Sequence, residues 1–433
     1  MKSGSYFPDP GYSSMYAMAG DDCSLFFDLN ELTEKQLQDH RDNQELTACL
    51  QVALMCIGNS DDHVALYEDF NQSGWRETLI RYQDFFGRMV GDVVPANHLT
   101  YHPRQAFYES VARYLDANPG LTDVANLYMS SGTNSVIHRN PGLLEVSRNV
   151  NSKKHFAENA PAYGISVPDT LLTTKEMLNG SDVKAFFDKH NNQLMIKLMG
   201  LAGARNVAAV SSVDECRKYV EQYADSMVVL LQEKLDLDFY TEMTVDLFVS
   251  DDDIHIANVR KILFANGLWV GNLIGRSVEL NTEQTQELLH VGEYARHHGY
   301  TSDLGSNCGI DFFIGKDGSI VVTEINARWT GGLFPAEVLK KLAESRDAVA
   351  FFDVVPVRLR EAYVDFVDRY LVGSYEGDFA VVPLGFGCFP VTMHDEAYFY
   401  TWQAVVGDFE AFKQVKNEQL GERALRTADL ITL

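Results

Sequence analysis

Residues 309–333, GIDFFIGKDGSIVVTEINARWTGGL, constrain the chain more than any other stretch. Two apolar runs flank Asp317-Gly318, a dipeptide that tolerates the positive φ of a tight hairpin turn, so the segment reads as a β-hairpin. With Asp317 and Gly318 as the loop, Lys316 pairs with Ser319 and Asp311 lies directly opposite Glu324. A four-residue loop over 315–318 displaces the two acids by one pair but leaves them on one face, and only an odd-length loop separates them.

Side chains alternate along a strand, which puts Asn326, and then Arg328, on the Glu324 side. Ile310, Phe312 and Ile314, with Val321, Thr323 and Ile325, form the opposite, anchoring face. Two carboxylates, a carboxamide and a guanidinium then converge. Hard oxygen ligands in so small a cluster suit Mg²⁺, which binds through one or two carboxylates plus substrate phosphates and keeps its waters. A guanidinium beside them can hold a phosphate or carboxylate bidentately.

The chain has 433 residues with 46% hydrophobic content, enough for two to four folded domains. Its formal charge of −25, from 61 acids against 36 bases, argues against nucleic acid or an anionic membrane as partner. Any phosphate site must be built locally. Cys23, Cys49, Cys56, Cys216, Cys308 and Cys388 are scattered, with no CxxC and no zinc-like spacing, which suggests reduced thiols in a cytoplasmic protein. Neither a signal-peptide core nor an apolar run of membrane-spanning length is expected.

Residues 1–148 read as one α/β unit, with helices predicted over 30–57, 75–89 and 105–115 and a strand over 63–67. Thr33 and Gln36 stand at capping-box spacing before the first helix. His102, His138 and Arg139 are left unassigned, isolated histidines being more often surface or hydrogen-bonded structural groups, and residues 130–134 form a small-residue loop that reads as a plain turn sooner than as a ligand contact. Beyond 149, Lys153 opens a helical stretch that ends at Gly164, and strands are predicted over 165–172, 193–198, 227–235, 240–250, 254–264 and 269–278. The strand ending in Lys197 runs into MGLAGARNV, where small residues at Gly200 and Gly203 let backbone amides approach an anion while an ammonium neutralises its charge. Gln232 and Glu233 close an apolar strand, and Glu242 lies on the next, an arrangement suited to adenine and ribose. A helix over 282–298 with Thr282 as cap precedes the hairpin. After it, Gly331 and Gly332 lead into a helix over 336–344 with Pro335 at its start, so their amides can face an anion. The tail, 346–433, offers a loop at 373–378, strands over 379–391 and a helix over 408–422, with no evident chemistry.

In order and spacing, Lys153, Lys197 with its glycine loop, Gln232-Glu233, Glu242, Asp311 and Glu-x-Asn-x-Arg-x-x-Gly-Gly at 324–332 resemble the ATP-grasp superfamily of carboxylate-amine ligases. The nearest likeness is to amino-acid and peptide ligases such as the pheganomycin-type peptide ligases, D-alanine–D-alanine ligases and L-amino-acid ligases. The resemblance implies an α/β fold of the ATP-grasp type, with an N-terminal domain over 1–148, an ATP-grasp domain over 149–345 and a C-terminal module over 346–433. It implies ATP held by Lys153, Lys197, Gly200, Gly203, Gln232, Glu233, Leu235 and Glu242, and two Mg²⁺ ions, with Mn²⁺ as a substitute, held by Asp311, Glu324 and Asn326. It implies Arg328 on an acyl phosphate, and Gly331 and Gly332 facing the substrate. Many relatives carry an Arg two residues before the first metal carboxylate, where this chain has Gly309; Arg276 is the candidate to replace it.

The activity this implies joins an amino-acid or peptide carboxylate to an amine, with release of ADP and phosphate, as in peptide natural-product synthesis. A ligase acting on another kind of carboxylate and an inactive nucleotide-binding regulator are the alternatives. The substrates implied are small molecules, without nucleic acid or membrane, and a homodimer is compatible with the reading.

Overall fold

A computed structural model describes residues 2–6, 11–19, 34–72, 74–127, 129, 133–199, 207–265, 268–275, 278–361, 377–393, 396–421 and 426–433. The first half begins with a parallel sheet of short strands, β1 (Lys2–Gly4), β2 (Ser14–Tyr16), β3 (His63–Tyr67), β4 (Leu99–His102) and β5 (Asp123–Ala125), in the order β1-β5-β2-β3-β4. Val64, Ala65, Leu66 and Tyr67 of β3 are all buried, as expected of a strand covered on both faces. Helices α1 (Glu34–Ile57), α2 (Trp75–Val90) and α3 (Phe107–Ala117) pack with it. Thr33, the expected cap of α1, lies outside the described residues.

Helix α1 is buried nearly all round from Ala48 to its end, a pattern that requires apolar neighbours on more than one side. On the side of the parallel sheet, buried Gln51 donates to Met18 O at 2.7 Å and accepts from Tyr67 N at 2.9 Å, tying together the carboxyl ends of β2 and β3. Its other neighbours come from the far end of the chain, as described below.

Helices α4 (Pro141–Val150) and α5 (Lys153–Asn159) lead into a four-stranded antiparallel sheet of β6 (Thr170–Thr174), β7 (Leu194–Leu198), β8 (Val207–Val210) and β9 (Val228–Glu233), ordered β6-β9-β7-β8. Helices α6 (Ser181–Lys189) and α7 (Val213–Tyr219) complete this small unit around Val183, Phe187, Ile196, Cys216 and Leu231. The strand predicted over 165–172 begins only at Thr170, after Pro168, which cannot donate to a ladder; β6 is nonetheless an edge strand.

The third sheet carries β10 (Tyr240–Val249), β11 (Ile254–Ala265), β12 (Leu268–Ile274), β13 (Ser306–Gly315), β14 (Ile320–Asn326), β15 (Ala348–Pro356), β16 (Phe379–Phe386), β17 (Val391–Met393) and β18 (Glu396–Gly407). Its order is β14-β13-β10-β11-β12-β15-β18-β16, with β17 on β18. Sequence reading misses β15 and β18 altogether: both are long apolar runs with weak alternation. The tail strands continue this sheet through the β12–β15 ladder, with Gly271 opposite Phe351 and Ile274 opposite Ala348. They also supply the remaining neighbours of the N-terminal helices. Cys388 N and Phe389 N donate to Glu45 of α1 at 2.9 and 2.8 Å, and Trp75 of α2 stacks on Phe386 at 5.5 Å.

Helix α8 (Thr282–His297) is capped by Asn281, with Gln284 completing a capping box, rather than by Thr282. Helix α9 (Leu333–Lys341) starts three residues earlier than predicted, with Pro335 in its first turn. Helix α10 (Phe409–Leu420) is capped by Asp408. Among the described residues no helix is long and apolar enough to cross a membrane. The five described cysteines are free and buried.

The β13–β14 hairpin corrects the expected register in an instructive way. Its last ladder pair is Ile314 with Ile320, so residues 315–319 form an odd-length turn, with Gly318 at φ +86°. Such a turn by itself puts Asp311 and Glu324 on opposite faces. A β-bulge between Asp311 and Phe312 leaves Thr323 as the extra residue, and Asp311 again lies opposite Glu324. The two irregularities cancel. The anchoring face is consequently Ile310, Phe312, Ile320, Val322 and Ile325, and Val321 and Thr323 are only partly buried.

Replacing Gln51 by Leu roughly keeps the volume but removes two buried hydrogen bonds, from the Tyr67 N–H and to the Met18 carbonyl. Unfolding free energy should drop by on the order of 3 kcal/mol. Urea denaturation checks this, and an unchanged midpoint would show that Gln51 does not tie the two strand ends.

Candidate active site

The site is built on one face of the third sheet. In β10 the residues Met243, Val245, Leu247 and Val249 enter the core, so Glu242, Thr244 and Asp246 share the other face. Ladder pairing extends that face sideways: Arg260 of β11 stands opposite Thr244, Thr244 opposite Asp311, and Asp311 opposite Glu324. The adjacent row runs from Asn258 through Asp246 and Gly309 to Asn326. Four strands thus align their polar residues in two rows.

At the hairpin end, Asn326 donates to Asp311 Oδ2 at 2.9 Å, and Arg328 donates through Nη2 to Asn326 Oδ1 at 2.8 Å and through Nη1 to Trp329 O at 3.0 Å. Lys153 opens α5, whose cap is the Ser152 hydroxyl, and its ammonium is ion-paired with Glu324. Lys197, buried on β7, lies within the field of Glu324, Glu242 and Asp311. Lys153, Lys197, Glu242, Asp311, Glu324, Asn326 and Arg328, singled out from sequence, are therefore gathered in one place from α5, the small sheet and the large sheet.

The electrostatics are tightly balanced. Burial pushes the Glu242 carboxyl up to about 7, helped by Asp311 and opposed by Lys197. Asp311 is raised by burial and then by the Glu324 charge, against a Thr244 hydrogen bond and the Arg328 and Lys153 charges. Burial also penalises the Glu324 carboxylate, but Lys153, Lys197 and Arg328 outweigh it and hold this group below its ordinary range. Burial lowers Lys197, with the surrounding carboxylates opposing. The like charges of Asp311 and Glu324 are only partly relieved, and an added cation between hard oxygens would relieve them further. The donor set fits Mg²⁺. Among the described residues no three His, Cys, Asp or Glu side chains are grouped to hold a metal alone, so an ion here would complete its shell with phosphate or water oxygens.

Gln232 is buried and donates to Thr170 Oγ1 at 3.0 Å, and Glu233 accepts from Asp169 N at 3.3 Å. These side chains secure the end of β9 against the start of β6, and Leu235 follows half-buried. Gly200, Gly203 and Arg276 lie outside the described residues. Gly331 and Gly332 lie at the start of α9, where Gly332 is the cap residue. His102 is internal, bonded to Thr100 and Ser110 at 2.7 and 2.9 Å, and burial lowers its ring to about 4. His138 contacts Asn126 Nδ2 at 3.0 Å and is lowered likewise. Both rings, left unassigned from the sequence, are hydrogen-bonded within the fold.

Sequence reasoning missed Thr244, Asp246, Arg260 and Asn307. Arg260 is fully buried and ion-paired to fully buried Asp246. No local signal marks it: only the pairing of β10 with β11 puts it directly opposite Thr244, on the face that holds the acids. The absence of an Arg at 309 also has a local cause. A Cβ on Gly309 would lie 2.1 Å from Thr330 Cγ2, so any side chain there displaces the loop after the hairpin.

No family model matches the chain, and no curated protein matches it in sequence. Solved structures match it in shape over nearly its whole length. The N5-carboxyaminoimidazole synthase from Aspergillus clavatus, in complex with ADP and 5-aminoimidazole ribonucleotide, is 12% identical and superposes with a TM-score of 0.55 over 94% of this chain and 98% of that one. Phosphoribosylamine–glycine ligase from Thermotoga maritima is 13% identical, with a TM-score of 0.54 over 97% and 98%. L-amino acid ligase from Bacillus licheniformis is 13% identical, with a TM-score of 0.50 over 95% and 98%. At these identities the likeness is one of architecture: the chain has the α/β ATP-grasp fold.

Proposed function

We propose that this chain is an ADP-forming ligase that joins an amino-acid or peptide carboxylate to an amine. The observation that carries the reading is the row Arg260–Thr244–Asp311–Glu324 with Lys153 and Lys197 set against its acidic end. In an acidic chain, two lysines and Arg328 gathered around two carboxylates form a local site for a bound polyphosphate and its cation.

Lys153 and Lys197 bind the phosphates of ATP, the end of β9 with Leu235 receives the adenine, and Glu242 takes the ribose or orients Lys197. Asp311, Glu324 and Asn326 hold Mg²⁺, which supplies charge neutralisation for phosphoryl transfer. A carboxylate is a poor electrophile, and phosphorylation changes that. A substrate carboxylate oxygen attacks the γ-phosphorus, the bond to the ADP oxygen breaks, and an acyl phosphate results. The amine nitrogen then attacks the acyl carbon, phosphate leaves, and the nitrogen loses a proton. Arg328 steadies the transferred phosphate with its planar fork, and the Gly331 and Gly332 amides face the substrate carboxylate or the oxyanion. A cytoplasmic setting suits the buried free thiols.

ADP release against a panel of amino acids, singly and in pairs, and of other carboxylates tests the reading. With the carboxylate partner and ATP but no amine, hydroxylamine should trap a hydroxamate. AMP and pyrophosphate as products would instead mean adenylation, and ATP binding without turnover on any substrate would favour the regulatory alternative.

Glu324→Gln removes the charge that Lys153 and the cation share. Turnover should drop by two orders of magnitude or more, on the order of 3 kcal/mol, with ATP affinity only modestly changed. Near wild-type turnover in the folded variant would sink the hairpin assignment. Arg328→Lys keeps the charge but loses the fork, so the rate should fall strongly while ATP binding persists. If neither quantity moves in a calorimetric and steady-state comparison, Arg328 takes no part in the reaction and the acyl-phosphate site is placed wrongly.

A further inference from the structure

Residues 328–332 have left the β14 ladder, yet buried charge holds them from beneath. Asp246 and Arg260 form an ion pair in which neither side chain is exposed. The Thr330 hydroxyl lies 2.9 and 3.1 Å from the two Asp246 oxygens and accepts from Arg260 Nη2 at 3.1 Å. Asn307 Nδ2 donates both to Asp246 Oδ1 at 3.0 Å and to the Arg328 carbonyl at 2.9 Å. Thr330 Oγ1 also accepts from the N–H of Leu333, the first residue of α9, at 3.2 Å. Gly332 lies so close that a Cβ there would be 2.2 Å from Arg260 Nε.

Burying two charges is expensive, and a matched apolar pair would often be as stable or more so. Stability alone therefore does not account for this arrangement. What the pair supplies is direction. The pair bonds the Thr330 hydroxyl directly, Asn307 carries it on to the Arg328 carbonyl, and Thr330 carries it on to the first amide of the helix, so that three points along one loop are held. A loop tied at three points to a cluster built on a fully buried ion pair has little freedom to shift, and a misplacement of about 1 Å at a reacting centre can cost on the order of 100-fold in rate.

We infer that Asp246, Arg260, Asn307 and Thr330 form a buried brace that sets the position of Arg328 and of the amides opening α9, which makes Arg260 and Thr330 positioning residues for the ligase step. The catalytic half of this inference rests on the function proposed above; the brace itself does not.

Thr330→Val keeps the side chain's shape and removes its hydroxyl, and Thr330→Ser restores the hydroxyl. Amide exchange in residues 328–334 of the unliganded protein should quicken about tenfold in Thr330→Val, matching the loss of a buried hydrogen-bond set, and return in Thr330→Ser. In the same preparations kcat should fall at least tenfold in Thr330→Val with the KM for ATP within about twofold, and Thr330→Ser should recover most of the rate. Unchanged exchange in a folded Thr330→Val protein overturns the brace. Faster exchange with unchanged kcat overturns the positioning role and leaves the residues merely structural. If Thr330→Val does not fold, Arg260→Lys carries the same expectations, since an ammonium keeps the charge on Asp246 but loses the fork that also reaches Thr330. A wild-type protein inactive on every substrate would count against the ligase reading, while the exchange measurement would still decide the brace.

Discussion

The site depends on lateral register. Arg260, Thr244, Asp311 and Glu324 belong to four strands, and they meet only because each ladder is in phase with the next. A slip of one residue in any ladder turns every side chain of that strand to the other face, exchanging carboxylates for core residues. The constraint is severe enough that the protein contains two compensating irregularities. An odd-length turn throws the hairpin out of phase and the bulge at Thr323 restores it, so that Glu324 meets Asp311 and Val322 meets Phe312. The apolar anchor and the polar row are fixed by one geometric condition.

Charge is handled locally, against the chain's overall sign. A protein with a formal charge of −25 repels anions at long range, so a phosphate-bearing ligand must find its attraction at short range. Lys153 comes from a helix terminus, Lys197 from the small sheet and Arg328 from the segment after the hairpin, and together they keep Glu324 ionised in a buried setting. Asp311 and Glu242, less well compensated, are pushed up instead. The site thus contains carboxyl groups in two electrostatic conditions, Glu324 held ionised by its cationic neighbours and Asp311 and Glu242 held up by burial.

How much of this could be read from the sequence differs by element. The hairpin was legible because an Asp-Gly turn and a run of spaced acids are local signals, and so were the helices with clear amphipathic spacing. The pairing of Asp311 with Glu324 was correctly expected, but by a route that did not include the bulge, and so the face assigned to Val321 and Thr323 was wrong. Bulges arise from what a strand packs against, which one segment does not record. Arg260 was invisible for a similar reason: its significance comes from Asp246 and Thr330, residues distant in sequence that become neighbours only when β10, β11 and the loop after β14 are assembled. The tail was opaque because β15 and β18 act only as continuations of a sheet whose beginning lies far upstream.

That continuation bears on how the chain acquires its structure. Helix α1 is enclosed by the parallel sheet and by the strand and turn around residues 384–389, and these regions share one apolar cluster containing Ala48, Val52, Leu384 and Trp402. During synthesis the helix emerges several hundred residues before its second wall. Until β16 and β18 arrive, an apolar surface that the finished protein hides is open to solvent and to other chains. The N-terminal unit is therefore an unfinished half on its own, and the segment that carries no recognisable motif is the one that lets the first helix leave water.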